Sequence, residues 1–505
     1  MASETGENEE LLHAAAGACG TLGVATLFEI GLVKARRWVR VEYMPVYSFS
    51  AAIALMDKCI SERSYDYIDG IMYAANMGVI VVGKLTDSKA PGVPVQRFSR
   101  WRDPWFYHHA HAQVAHRRGT YCDTCGVVGS RNPAMAMGGN AVELVPVEDY
   151  FFRYDRGSFW LGGHGWYVLS LLCCLRDTIL TGDDRPKWAT TTLTGRFLFN
   201  HWSHTAIAYS ALHHGQRHKN FIIQDLAIPR PEAVDFLNWT HENLHLYPLW
   251  LCPIKGDSKA IMQRHPKAIK KPSEEMTAAA STDNGTTSST ATTSTKPSDY
   301  ILNIGLWGLN TTAWPNIQLN RGEAYHSRWL ADNRAIEAKI REVGGLKWLY
   351  AMNFYEEGQF WQRSHDNDTS PDEVIEGEVG EGEGSKKNGG SGIYDKAAYD
   401  ELRIKYGAAS RTSTGMIDHI PNVWEKVKPK DLEYSEGPGM ISSMLKATFG
   451  VEHLLGKAKR PGGKSKKDRK RQEALVVKEG REGLVGKSEE QVSVREDEGK
   501  EFELV

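Results

Sequence analysis

Cysteine is scarce. Seven residues in 505, at positions 19, 59, 122, 125, 173, 174 and 252, are too few for a disulfide scaffold and point to a reducing, cytosol-facing compartment. Net charge is nearly absent as well: 61 Lys and Arg oppose 63 Asp and Glu for a formal charge of -2. A chain so balanced has no field with which to coat nucleic acid, and no nucleic-acid partner is expected. The N-terminus carries Glu4, Glu7, Glu9 and Glu10 where a secretory signal needs a basic start, which argues against a cleaved signal. Long apolar runs are missing too. Residues 14–28 (AAAGACGTLGVATLF) are short and broken by glycine, and Phe159–Leu175 (FWLGGHGWYVLSLLCCL) is only 17 residues and holds His164; both read as buried or interfacial rather than spanning. There is no Walker A loop, no GxSxG elbow and no HExxH, which removes the strongest markers of P-loop, α/β-hydrolase and zincin chemistry.

What is present is apolar mass. Hydrophobic residues make up 41% and aromatic residues 10%, enough to build a large core, and the length exceeds what one core usually serves. Three low-complexity breaks divide the chain: a Ser/Thr-rich insertion at 272–297, an acidic Gly-rich stretch at 366–392, and the charged tail from 455, which contains the basic run Lys457–Arg471. That run is expected to help hold the chain on anionic membranes. Between the breaks, two units repeat a strand, helix and strand pattern. The first has strands near 40–46 and 78–85 with a helix opening at Ser48; the second has strands at 221–229, 246–254 and 300–308 with a helix starting at Pro231. A long helix over about 325–343, stopped by Gly344 and Gly345, precedes a strand LKWLYAMNF. The fold class predicted is α+β, a mainly antiparallel sheet with helices on one face.

Several residues carry candidate chemistry. The turn Cys19, Gly20, Thr21, Leu22, Gly23 allows close backbone approach to a ligand, and the ATLFEIGLV that follows reads as a strand. His108, His109, His111 and His116 precede the pair Cys122 and Cys125, an arrangement that raises zinc, but a single CxxC lacks the second ligand pair of a closed tetrahedral site and no bound metal is expected. A second histidine group, His201, His204, His213, His214 and His218, reads as surface or core histidines with the option of a proton donor. Arg153 and Arg156 sit among aromatics as candidates for phosphate or headgroup binding, or for ion pairs with Asp149 or Asp155.

The segments CGTLGV (19–24), VEYMPVYSF (41–49), EDYFFRYDRGSFW (148–160), FIIQDLAIP (221–229), LHLYPLWLCP (244–253), WLYAMNFY (348–355), FW (360–361), YDELRIKYGA (399–408) and PNVWEKV (421–427), in that order, resemble the Delta(24)-sterol reductase family. These are FAD-linked oxidoreductases with the p-cresol methylhydroxylase and vanillyl-alcohol oxidase flavin fold. The resemblance implies reduction of a sterol side-chain double bond with FAD and NADPH, on a sterol substrate taken from membrane, at the cytoplasmic face of the endoplasmic reticulum. It implies that Cys19, Gly20, Thr21, Leu22 and Gly23 approach the cofactor, and that Tyr150 or Tyr247 supplies the proton. It also implies a division into an FAD-domain remnant at 1–36, a substrate domain at 37–271 and 298–365, and a return segment at 393–454. The family places most of its FAD-binding domain ahead of CGTLG, whereas 18 residues precede it here, so an N-terminally truncated member that does not retain flavin by itself is expected. Gln359 stands where the family has an acidic residue before Phe-Trp. Two alternatives remain open at this point, a non-catalytic lipid-binding or interaction protein and a zinc module at Cys122 and Cys125.

Overall fold

The computed structural model describes residues 8–115, 140–160, 193–214, 221–255, 300–309, 323–362, 394–413 and 415–430, with a few isolated positions beside them. The breaks at 272–297 and 366–392, the tail, the stretch 161–192 and the Cys122/Cys125 pair lie outside the described residues.

The first unit runs β1 (Trp38–Val46), helix Phe49–Glu62, β2 (Tyr67–Ala74) and β3 (Met77–Thr86). Its helix starts where expected: Ser48 is extended and its hydroxyl accepts from the Ala51 N–H at 3.1 Å, filling one of the orphan donors of the first turn. Strand β4 (Ala141–Pro146) joins the outer edge of β1. The second unit runs β5 (Phe221–Pro229), helix Ala233–Leu244, β6 (Leu249–Ile254) and β7 (Ile301–Leu309). The long helix Glu323–Glu342 follows, then β8 (Leu346–Lys347). These strands form one eight-stranded sheet in the order β4-β1-β3-β2-β6-β7-β5-β8, and every pairing in it is antiparallel. Read outward from the β2–β6 contact, each side runs through its third strand to its first. The two units are therefore arranged as pseudo-symmetric halves, joined by the register Gly70–Leu251, Ile71–Trp250 and Met72–Leu249.

The alternation of side chains along each strand divides the interior into two cores. On one face, Met72, Ile80, Val82, Ile222, Leu226, Leu249, Leu251, Leu302 and Ile304 pack against the helices Phe49–Glu62, Ala233–Leu244 and Glu323–Glu342. The expected helical face is thus present. The other face is covered as well, by Phe98, Trp105, Phe106, Tyr107, Tyr150 and Trp160, including the short helix Phe106–Ala115. A third core lies at the β8 edge of the sheet, with Leu346 against it: Ala14, Ala18 and Leu22 near the start of the chain pack with Phe360, Trp361, Tyr394, Tyr399 and Trp424 of later segments.

Two expected strands differ. The stretch after CGTLG has no secondary structure, and Val24, Leu27, Phe28, Ile30, Leu32 and Val33 are exposed; its alternation is real, but no neighbouring strand offers it a ladder among the described residues. LKWLYAMNF pairs with β5 only at Leu346 and Lys347, with a last bond from the Trp348 N–H to the Asp225 carbonyl at 3.1 Å, and then leaves the sheet edge.

Candidate functional site

The aromatic face of the sheet holds a band of polar groups where its two halves meet. Register places Asp225 of β5, Gly305 of β7, Trp250 of β6 and Ile71 of β2 side by side across four strands. Gly305 is needed there: a Cβ on it would lie 3.0 Å from Asp225 Oδ1 and 3.1 Å from Trp250 Cβ, so only glycine lets the carboxyl and the indole occupy adjacent strands. Asp225 is 3% exposed. Its Oδ2 accepts from Trp307 Nε1 at 3.2 Å, and its Oδ1 has no hydrogen-bond partner among the described residues. Burial pushes its pKa up to about 7, with the dipoles of Trp307 and Asn303 opposing the shift, because taking a carboxylate out of water disfavours its charged form. This carboxyl exchanges its proton near neutral pH, the property a general acid needs.

Three strands away on the same face, Asp69 of β2 accepts from Arg153 Nη2 at 2.7 Å, Tyr154 Oη at 2.9 Å and Trp250 Nε1 at 3.3 Å. The Arg153 guanidinium also sits 4.0 Å above the Tyr150 ring. The indoles and phenyl rings close over this band, with Phe159 stacked on Tyr154 at 4.6 Å and within 4.5 Å of the Trp307 ring centre. Cys252, next on this face of β6, has its thiol pushed up to about 12 by burial and by the nearby Asp69 carboxylate, so it is not a nucleophile at neutral pH.

Where β8 ends, the edge of β5 from Phe221 to Gln224 faces the loop Leu349–Phe354 across a cavity of about 350 Å3. Its walls include Phe221, Trp329 and Phe354, and Lys426, Lys428 and Lys430 also line it. Lys426 reaches from there to the turn near the start of the chain, donating to the Cys19 carbonyl at 2.7 Å.

The expected site residues fall in different places. Tyr150 is in the aromatic core, 1% exposed, its hydroxyl without a partner among the described residues and its pKa raised, first by desolvation. Tyr247 packs against the helical core instead, hydrogen-bonded to His241 Nδ1 at 3.0 Å, with burial raising its pKa to about 12. The structure does not bring these two phenols together, and neither is easier to deprotonate than an ordinary tyrosine. Cys19 and Gly20 turn in the left-handed region, at φ 51° and 69°, and Gly20 and Gly23 are exposed. A Cβ on Gly23 would meet nothing within 4 Å. Thr21 is turned inward, its hydroxyl 2.5 Å from the Tyr399 hydroxyl and bonded to the Ala18 carbonyl, and Leu22 is buried in the third core. The exposed glycine backbone fits close approach by a planar cofactor ring; the Thr21 side chain is committed to the fold.

Arg153 and Arg156 pair with neither Asp149 nor Asp155. Arg153 takes Asp69, and Arg156, 1% exposed, donates to the carbonyls of Phe98, Asp103 and Trp101. Asp149 pairs with Arg97 and accepts from the Phe98 and Ser99 backbone, and Asp155 pairs with His204 at 2.5 Å. Both arginines are therefore structural. Gln359 caps its own short helix, accepting from the Glu356 N–H at 3.1 Å. His109 meets the Glu143 carboxylate at 2.8 Å, and no group of histidine, cysteine and acidic side chains suited to a metal ion occurs among the described residues. Nor, among them, is any helix long and apolar enough to cross a membrane. Asp225 escaped sequence reasoning, although its signal is visible: an acidic residue within the apolar strand FIIQDLAIP.

No family model matches the chain. Among curated proteins it is 21% identical over 426 residues to Delta(24)-sterol reductase of Homo sapiens, covering 83% of this chain and 59% of the human protein. To the protein of that name from Arabidopsis thaliana it is 26% identical over 271 residues, 50% of this chain and 40% of the plant protein. A match to the Mus musculus protein gives 21% over 361 residues, 70% of this chain and 54% of the other. The chain thus spans 59% or less of the length of these relatives. The matches extend over much of the chain and agree on one name, so the chain is similar to the proteins named Delta(24)-sterol reductase.

Proposed function

We propose that this chain is the substrate-handling part of an FAD- and NADPH-dependent reductase acting on a sterol side-chain double bond, working at the cytoplasmic face of the endoplasmic reticulum membrane from which its lipid substrate comes. The observation that carries the reading is Asp225, a carboxyl that holds its proton near pH 7 on an aromatic, water-poor surface. Reducing an alkene requires a hydride equivalent on one carbon and a proton on the other. FAD, when bound, supplies the two-electron chemistry. The chain's own residues do the rest: Asp225 holds the proton at its carboxyl, in place of Tyr150 or Tyr247, whose raised pKa values make them weaker donors. Trp250, Trp307 and Phe159 offer rings suited to an apolar ligand, and Gly20 and Gly23 offer open backbone to the cofactor.

The test is conversion of a Delta(24)-sterol by the chain joined to the flavin-binding portion of a relative and supplied with FAD and NADPH, read by mass spectrometry as a product about two mass units heavier, the mass of the added hydride and proton. Deuterium from solvent should enter the product once, and Asp225→Asn should lower kcat by about 10²–10⁴-fold while Tyr247→Phe leaves it within a few-fold. Full activity in the Asn variant would remove Asp225 from the chemistry. Tight sterol binding with no turnover under any cofactor supply would favour a non-catalytic lipid-binding role.

A further inference from the structure

We propose that the cavity beside the edge of β5 binds the nicotinamide half of a pyridine dinucleotide, with Asn353 and Gln224 reading its carboxamide and the lysines at 426, 428 and 430 meeting its phosphate. The inference rests on the reading of the chain as a pyridine-nucleotide-driven reductase and gives that reductant a place.

Asn353 lines the cavity, is 3% exposed, and neither its Nδ2 nor its Oδ1 has a hydrogen-bond partner among the described residues. Gln224, 2% exposed, has its Nε2 engaged by Asn333 Oδ1 at 2.8 Å and by the Met352 carbonyl at 3.3 Å, which leaves Oε1 open among the described residues. A buried amide with nothing to bond is a cost to the fold, and an apolar side chain of the same shape would remove it. Nor can Asn353 easily swing out. Both its neighbours are anchored by the buried Lys347–Glu337 pair at 2.7 Å: Glu337 accepts from the Phe354 N–H at 2.9 Å, and Lys347 donates to the Met352 carbonyl. The loop therefore holds the Asn353 amide at the cavity wall, its polar atoms closed to water in the chain without ligand.

A carboxamide on an aromatic ring is the complement of that edge, offering one carbonyl and one NH2, and Trp329, Phe221 and Phe354 supply apolar walls for the ring. The lysines supply what a sterol could not use. Lys426 is held on the Cys19 carbonyl, Lys428 pairs with Glu425 at 2.6 Å and Lys430 donates to the Lys426 carbonyl at 3.4 Å, so the three lysines share one short segment at the cavity wall. A volume of about 350 Å3 lies at the small end of the roughly 300–1,000 Å3 typical of ligand pockets, suited to half a dinucleotide rather than a whole one.

The experiment titrates the 505-residue chain with nicotinamide mononucleotide, NADPH and AMP, following tryptophan fluorescence, of which Trp329 is the local reporter. Nicotinamide mononucleotide and NADPH should compete for one site and AMP should not displace either. Asn353→Leu should weaken nicotinamide mononucleotide at least tenfold while the melting temperature stays level or rises, the signature of a residue kept for a ligand. Lys428→Glu with Lys430→Glu should weaken nicotinamide mononucleotide but not uncharged nicotinamide. Absence of binding, undiminished binding by the Asn353→Leu variant, or AMP competing as well as nicotinamide mononucleotide would overturn the proposal. So would loss of sterol binding, in place of nucleotide binding, on Asn353→Leu. Failure here with sterol reduction intact would leave the reductase reading standing, whereas nucleotide binding without sterol reduction would sink that reading alone.

Discussion

Asp225 couples the stability of the chain to pH in a direction opposite to that of most carboxylates. Its folded pKa of about 7 stands above the ordinary 3.8, because burial penalises the charged form. Between those two values the folded chain holds a proton that the unfolded chain has released, so stability is greatest below about pH 4 with respect to this group and is lost as pH rises to about 7. The amount is on the order of a few kcal/mol. Replacing Asp225 by Asn keeps an acceptor for Trp307 and removes the titration. Urea midpoints measured at about pH 5, 6 and 7.5 should therefore fall less steeply in Asp225→Asn than in the parent chain, and parallel curves would contradict the assigned shift. The Lys347–Glu337 pair behaves differently. The Lys347 side chain is fully buried and that of Glu337 is 3% exposed, and Lys347→Met would leave Glu337 facing apolar surroundings without its counter-charge. Breaking such a pair costs about 3–5 kcal/mol, and because Glu337 also accepts from the Phe354 N–H, the loop carrying Asn353 should loosen first. Hydrogen exchange at residues 349–354 that stayed as slow as in the parent chain would count against this.

Elements that bury one face were legible; those whose fate depends on a neighbour were not. β5 was read at its observed bounds from a run of apolar residues closed by proline, and the helix after Ser48 from its cap, because both signals are local. The strand expected from 346 to 354 survives for two residues; no local feature of LKWLYAMNF announces that Lys347 turns into the core to meet Glu337, ten residues back, and draws the chain away from β5. The aromatic covering of the second face was equally hidden, since Phe98, Tyr150 and Trp307 come from distant parts of the chain. Asp225 was missed because strand periodicity says which face a side chain takes, not whether that face is dry. The segment after Gly23 is the opposite case. It alternates like a strand, yet Leu27 is 76% and Ile30 77% exposed, which makes it an aggregation liability rather than a contributor to the fold. Leu27→Glu combined with Ile30→Glu should cut binding of a hydrophobic dye and slow aggregation, while the unfolding free energy changes by less than about 0.5 kcal/mol. A large loss of stability would show that these side chains are packed after all.

At the scale of the molecule, the polar band lies on the seam between two halves that touch through only one short ladder among the described residues, β2 with β6. Asp69 and Ile71 come from one half and Trp250, Gly305 and Asp225 from the other, so the band exists only when both are assembled. The third core stands outside this symmetry and joins early and late segments of the chain. Tyr399 is its hub: its hydroxyl lies 2.5 Å from Thr21 Oγ1 and accepts from the Val423 N–H at 2.8 Å, linking the turn at 19–23 to the return segment. The same segment carries Lys426 to the Cys19 carbonyl, so the glycine turn and the lysines at the cavity are positioned by one small core, which meets the sheet at Leu346 and Lys347 of β8. Tyr399→Phe keeps the ring's packing on Trp361 but orphans the Val423 N–H, a buried donor whose loss costs about 1–3 kcal/mol. The cost should fall on this core alone. Native-state hydrogen exchange is expected to quicken together at residues 14–22 and 421–427, while β2 and β6 keep their protection. Uniform acceleration across the sheet would mean that the third core and the sheet unfold as one unit, and the turn would then owe its position to the whole fold.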